Sequence, residues 1–281
     1  MKRQRRFSGI GLVTLLFLLV VGLLVFIPFM FLIISSLQDA SMIFSKGLTL
    51  KIDFGVADLD NYKLLFTHND GIYWVWFKNS VVITFIQTVV VLVLCSMVGY
   101  GLALYDFKGR QFIFAMVLVM MMVPGDILLI PLYKLITNLG LMDTYLGVIL
   151  PGIVPPATIF FFRQYAIGLS KEYADAARID GCGEFRIFWN IYAPMMKPAF
   201  GAMAILTSMN VWNNYLWPMI VLRSDENLML PAGLMTYMTP YGNNYDIVFA
   251  GSVMSIIPII IVFMLNQKQF IAGLTVGGVK G

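Results

Sequence analysis

The sequence predicts an all-α integral membrane protein with six transmembrane helices. Hydrophobic residues make up 59% of the 281-residue chain and charged residues 12%, whereas soluble domains are roughly 25% charged. Mean hydropathy is +0.83. Six apolar segments, at about 10–35, 79–104, 112–136, 145–167, 199–221 and 247–266, are each near the ~20 residues a helix needs to cross ~30 Å of hydrocarbon. Most of this surface therefore has lipid as its solvent.

The first segment follows Lys2, Arg3, Arg5 and Arg6. A basic start can open a signal peptide, but the apolar run exceeds the ~7–15 residues of such a core and no small-x-small cleavage site follows. It is read as a retained span. The second segment carries Cys95, and the third contains MMMVPGDILLIPLY. Pro124 and Gly125 can bend that helix and free backbone carbonyls. Asp126 is a costly group at this depth and should face a partner, a cavity or a pore. The fourth segment leads into a charged stretch. The fifth holds Asn210, Asn213 and Asn214 beside Trp212, Tyr215 and Trp217. Asn210 and Asn214 share a face if the helix is continuous. These amides fit either a polar path or hydrogen-bonded glue between helices. The sixth segment precedes a Gly-rich tail, 267–281.

Six spans put both termini on one side. Of the 19 Lys and Arg, only Lys46, Lys51, Lys63, Lys78, Lys134 and Arg223 fall on the other side. The excess places both termini in the cytoplasm. Loops 36–78, 137–145 and 222–246 then face outward. The basic balance follows from topology and implies no nucleic-acid partner. With Cys95 in an apolar run and Cys182 in a charged one, a disulfide framework is not expected.

The stretch EYADAARIDGCGEFRIFWNIYAPMMKP, residues 172–198, is too polar for lipid. Gly181 permits a sharp break between two short helices, and Pro194 and Pro198 mark the return to the membrane. Its small residues would let another protein approach the backbone. The alternative is an amphipathic loop lying on the headgroups.

The run D-A-A-x-x-D-G-C, followed by Phe188, Ile191, Pro194 and Pro198, resembles the EAA loop of ABC-importer permeases. Here Asp175 stands for the family's Glu, Cys182 for its last Ala, and Ala193 for the Leu before Pro194. WNNYLWPMIVL at 212–222, LIPLYKLITNLGLMDTYLGVILP at 129–151, FFFRQYAIGL at 160–169 and QKQFIAGLTVGGVKG at 267–281 are similar to the maltose-type group of sugar permeases. YGNNYD at 241–246 and GYGLALYDFKGR at 99–110 most resemble Gram-positive permeases for arabinose-containing oligosaccharides.

The resemblance implies a single type I ABC importer transmembrane domain over 1–281. Its partners would be a second, similar permease, two ATPase subunits, an extracellular sugar-binding protein and membrane lipid. It implies a cytoplasmic coupling loop, 168–198, in which Asp175, Ala176, Ala177, Asp180, Gly181, Cys182, Phe188, Ile191 and Pro194 meet an ATPase. Cys182 is expected at that surface. The tail 267–281 would reach the ATPases through Gly273, Leu274, Thr275, Gly277 and Gly278. Asp126, Asn210, Asn213, Asn214 and Tyr215 would line the sugar's path, and Tyr241, Asn243 and Asn244 would touch the binding protein. The substrate would be an oligosaccharide, with arabino-oligosaccharide favoured over another sugar or polyol.

No cofactor or metal is expected on this chain. It lacks G-x-x-x-x-G-K-[ST], so ATP and Mg would act on the partner ATPases. An intramembrane enzyme is disfavoured: G-x-S-x-G and H-E-x-x-H are both missing, and His68, the only histidine, lies in a polar loop. An ion-coupled transporter working alone would need no EAA loop, and the chain shows no evident internal repeat.

Overall fold

The computed structural model describes residues 9–41, 43, 57–239 and 242–276. Among them the chain is helical apart from turns and one two-stranded hairpin. The chain divides into two compact units, residues 1–71 with 234–254, and residues 72–233 with 255–281.

In the first unit, helix Gly9–Ser36 is apolar and exposed along most of its length, as a lipid-facing helix is. Its end is fastened by polar groups. The Asn61 amide donates to the Ser36 and Gln38 carbonyls, at 3.1 and 2.9 Å, and the Ser36 and Tyr62 hydroxyls lie 2.7 Å apart. Asp246 accepts from the Ala40 N–H at 2.7 Å. Helix Asp60–Thr67 ends in a turn in which Asn69, Asp70 and Gly71 all have positive φ.

The second unit is organised on helix Ile72–Leu104, which begins before the predicted 79 and packs chiefly on helices Pro156–Ile167 and Lys197–Trp212. Gly99 makes the first packing possible: a Cβ there would lie 2.7 Å from Phe162 Cβ and 2.8 Å from the Arg163 nitrogen. Gly201 does the same for the last helix, Tyr245–Val276, where a Cβ would meet Gln269 Cβ at 2.2 Å. The Trp212 indole N–H donates to the Ser255 carbonyl at 3.1 Å. Helix Lys197–Trp212 therefore touches the last helix near both of its own ends.

The predicted spans are less straight than the hydropathy implied. Among the described residues, three helical stretches are long and apolar enough to cross a membrane, Leu12–Ser36, Asp60–Leu104 and Tyr245–Ile271, or five if each bent pair is one span. The predicted span 112–136 is helix Arg110–Met121 and a second piece from Gly125 to Asn138, at 95° to it. Pro124 sits at the break; proline lacks a helix donor and restricts the residue before it. The predicted span 145–167 bends by 47° ahead of helix Pro156–Ile167, where Pro155 and Pro156 act in the same way. The predicted span 199–221 is split at Asn213–Tyr215 into Lys197–Trp212 and Leu216–Val221. Its longer piece, at ~1.5 Å per residue, reaches about 24 Å.

Candidate functional site

Loop 168–198 forms a helix, a hinge and a second helix. Helix Glu172–Ile179 stops because Gly181 adopts a left-handed φ of +78°. The Gly181 N–H donates to the Arg178 carbonyl at 3.0 Å and the Cys182 N–H to the Ala177 carbonyl at 2.9 Å, the paired bonds of a Schellman stop. Helix Glu184–Ile187 then continues into a π-helical turn, Phe188–Tyr192.

The two faces of this loop differ. Ala174 and Ala177 are 3% and 6% exposed and join Ile187, Phe188 and Tyr192 in a core with Val91, Cys95, Tyr100, Phe162 and Ala166. The small residues therefore admit the chain's own helices, which corrects the expectation that Ala177 faces a foreign protein. Cys182 is half-buried and also packs against this core, as do Ile191 and Ala193. Asp175, Ala176, Asp180 and Pro194 are exposed. So are two large apolar side chains that sequence reasoning missed, Ile179 at 88% and Phe185 at 66%. An apolar residue before an Asp-Gly helix stop is the signal that could have found the first.

Polar bonds hold the loop beneath helix Ile72–Leu104. The Tyr105 hydroxyl donates to Glu184, which also accepts from Arg178 Nε at 2.7 Å and Nη2 at 3.2 Å. Arg178 Nη1 reaches Asp175 at 2.7 Å. Asp106 accepts from Lys171 at 3.0 Å and from Arg110 at 2.6 Å. The Arg178 hydrogen bonds hold the Glu184 carboxyl below its usual range, and Glu184 in turn raises Arg178. Lys171 and Arg110 lower Asp106. Glu184, Arg178 and Asp106 therefore stay charged at neutral pH.

At the other end of the second unit, helix Ile72–Leu104 gathers segment 225–230. The Trp76 indole donates to the Asp225 carbonyl at 2.7 Å. Asn79, 2% exposed, donates to the Glu226 and Leu228 carbonyls at 2.7 and 2.9 Å and accepts from the Tyr145 hydroxyl. Ser80 accepts from the Leu230 N–H at 2.7 Å.

The candidate path residues are exposed at breaks in helices. Asp126 lies in the 3-10 turn Gly125–Leu128, between the two pieces of the 95° bend. Asn210 lies in the last turns of helix Lys197–Trp212, while Asn213, Asn214 and Tyr215 occupy the break after it. That break ends the helix before Asn214, so the expected shared face of Asn210 and Asn214 is not a continuous helical one. Among the described residues, no side-chain hydrogen bond holds Asp126, Asn210, Asn213 or Asn214.

Residues 96–275 match the family of binding-protein-dependent transport system inner membrane components. The chain belongs to this family. It is a permease component of an ABC uptake system, embedded in the membrane, and not an enzyme. The permease is 52% identical, over the full length of both chains, to the arabinooligosaccharides transport system permease protein of Bacillus subtilis, and 53% identical to that of Halalkalibacterium halodurans, again over both full lengths. It is 34% identical to a lactose transport system permease of Rhizobium radiobacter, over 90% of each chain. Its fold matches a chain from the crystal structure of a bacterial ABC transporter involved in import of the acidic polysaccharide alginate. That match has a TM-score of 0.82 and 24% identity, and covers 95% of the permease and 100% of that chain.

Two other expected contact regions are partly described. The last helix runs from Tyr245 to Val276, so Gly273, Leu274 and Thr275 continue the helix rather than opening a separate tail at 267. Gly277 and Gly278 lie outside the described residues, as does Tyr241. Strands Met238–Thr239 and Gly242–Asn243 pair antiparallel, and Pro240 between them also lies outside the described residues. Asn244 accepts from the Ile247 N–H at 3.3 Å and caps the last helix. That bond gives Asn244 a structural role, and its replacement by Ala costs about 1 kcal/mol of helix stability.

Sequence reasoning also missed Asp143. Its φ is +59°. Its carboxylate accepts from the Arg223 and Ser224 N–H groups, at 2.8 and 3.1 Å, and from the Ser224 hydroxyl. Burial works to raise its pKa, but these donors overcome it and hold the carboxyl at about 2. A carboxylate depressed from its ordinary 3.8 stabilises the fold fully above that value and loses the effect as pH falls through about 2. Asp143→Asn should therefore lower the melting temperature of the detergent-solubilised permease at pH 6. The gap from wild type should close as pH falls from about 4 to about 2. A gap constant across that window would contradict the assignment.

Proposed function

We propose that this chain is one of two similar permeases that together form the path of an ABC sugar importer, with two ATPases below and a sugar-binding protein above. Residues 1–281 act as one transmembrane domain of six spans with both termini in the cytoplasm. In this topology each bent pair is one span, and Lys197–Trp212 with Leu216–Val221 is the fifth in chain order, which brings the count to six. The substrate is an arabino-oligosaccharide. The observation that carries this reading is the full-length 52% identity to a permease named for that sugar class.

Loop 168–198 supplies the coupling. Ala174, Ala177 and Phe188 root it in the permease, which leaves Ile179, Phe185, Ala176 and Asp180 to meet an ATPase. The tail residues Gly273 to Gly278 extend the same contact. ATP and Mg act on the ATPases, and no cofactor binds this chain. ATP binding moves the seated loop, and the attached spans shift between inward-open and outward-open states. ATP drives this only by favouring one state. Asp126, Asn210, Asn213, Asn214 and Tyr215 offer acceptors and donors to hydroxyls at helix breaks. Tyr241 and Asn243, in loop 222–246, meet the binding protein.

The test is uptake by proteoliposomes holding this chain, its partner permease, the ATPases and the binding protein. Labelled arabino-oligosaccharide should accumulate only with ATP and binding protein present, and in preference to lactose or maltodextrin. Equal uptake without ATP on an ion gradient would overturn the importer reading. ATP-driven uptake of a different sugar would overturn only the substrate.

A further inference from the structure

Three polar side chains, Tyr105, Arg178 and Glu184, bridge the hinge of loop 168–198, and the loop reading does not use them. Helix Glu172–Ile179 and helix Glu184–Ile187 meet at Gly181, where glycine has a wide range of backbone angles and the joint's own backbone is held by the two bonds of the helix stop alone. A contact that pushes on one helix of a soft joint bends the joint before it moves anything beyond. Arg178 lies before the hinge and Glu184 after it. Two hydrogen bonds from one guanidinium to the carboxylate close the gap, at 2.7 and 3.2 Å. Such forked pairs fix direction as well as distance. Asp175 holds the third arm of Arg178 at 2.7 Å.

The bridge is also anchored outside the loop. Tyr105, just past helix Ile72–Leu104, donates its hydroxyl to Glu184. Its ring meets Tyr100 edge-on at 5.5 Å, and Tyr100 in turn packs on Phe188 at 5.2 Å and Tyr192 at 4.8 Å. The Arg178 guanidinium stands 5.8 Å over the Tyr105 ring. The neighbouring Asp106 ties Lys171, at the start of the loop, to the same chain segment. Helix Glu172–Ile179 is thus fastened on both sides to two consecutive residues.

The geometry points to Tyr105, Glu184 and Arg178 as positioning residues that lock the Gly181 hinge, so that force on helix Glu172–Ile179 reaches helix Ile72–Leu104. This rests on the importer reading given above. Side chains exposed to this degree add little to fold stability, as exposed ion pairs generally do. Their effect falls on transmission: with the bridge open, the ATPases still close on ATP, but part of the motion is absorbed at Gly181.

The experiment measures sugar transported per ATP hydrolysed in proteoliposomes of the complete complex, for Tyr105→Phe, Glu184→Gln and the double variant. Tyr105→Phe removes one oxygen and keeps the ring packing. Each single variant should assemble, retain binding-protein-stimulated ATPase, and lose up to about fivefold in sugar per ATP, the upper end for one exposed pair. Because the residues act as one unit, the double variant should fall no further than the worse single. An unchanged ratio in both assembled singles overturns the proposal, as does a multiplicative loss in the double. If Glu184→Gln fails to assemble, Tyr105→Phe decides alone. Failure of both to assemble also overturns it, because the bridge is then a folding element. If the wild-type complex itself shows no ATP-dependent uptake, the importer reading fails, and that outcome is distinct from a coupled wild type with coupled variants.

Discussion

Gly99→Ala should sharply reduce the amount of permease that survives heating in detergent, while Gly101→Ala should not. The two glycines are two residues apart in one helix and differ only in what surrounds them. At Gly99 the new Cβ would sit 2.7 Å from Phe162 Cβ, 2.8 Å from the Arg163 nitrogen and 3.0 Å from the Phe162 carbonyl carbon. Two of those three atoms are backbone, so no rotamer change relieves the clash, and the helices must separate. Overpacking of a core costs about 1–3 kcal/mol, and more where the backbone must move. At Gly101 nothing lies within 4 Å, and replacing a helical Gly by Ala gains about 1 kcal/mol. Gel filtration of the heated, solubilised protein gives both midpoints. Equal midpoints would mean that helices Ile72–Leu104 and Pro156–Ile167 do not approach this closely.

Ile179→Asp should nearly abolish ATP-driven uptake while leaving the permease folded. Ile179 is 88% exposed at the end of helix Glu172–Ile179, so its own chain loses almost no burial. If this face seats in an ATPase, a carboxylate there is driven into an apolar contact without a partner. Loss of a central interface residue costs about 2 kcal/mol or more, which is about thirtyfold in affinity. Copurification of the ATPases with the permease reads the contact directly, and uptake reads its consequence. Ala177→Leu should behave differently: it overfills the core around Phe162 and Ile187 and lowers the yield of folded permease. Full uptake by Ile179→Asp would place the driving contact elsewhere on the loop.

The contrast between Ala176 and Ala177 shows where sequence reasoning stops. Both belong to the D-A-A run that carries the family resemblance, and both are small. One is exposed and the other belongs to the core. Helical periodicity separates neighbours by about 100°, but it does not say which face meets the chain's own helices until those helices are in place. Cys182 is the same case. A cysteine after a hinge glycine was expected at the surface, yet the Schellman turn brings its N–H back to Ala177, and the residue packs half-buried against the core.

By itself, the sequence determined the solvent, the class of fold, the hinge at Gly181 and the family. Each depends on composition or on local backbone chemistry, which the residues carry with them. Apolar runs of about 20 residues partition into lipid whatever their neighbours are, and glycine supplies a left-handed φ wherever it stands. Tertiary structure alone decided the 95° bend at Pro124, the split at Asn213–Tyr215, the clamp around Asp143 and the bridge from Tyr105 to Glu184 and Arg178. Proline permits a break, but packing sets its angle. A carboxylate finds its donors only when segments 80 residues apart in sequence are brought within 3 Å or so by the helices between them.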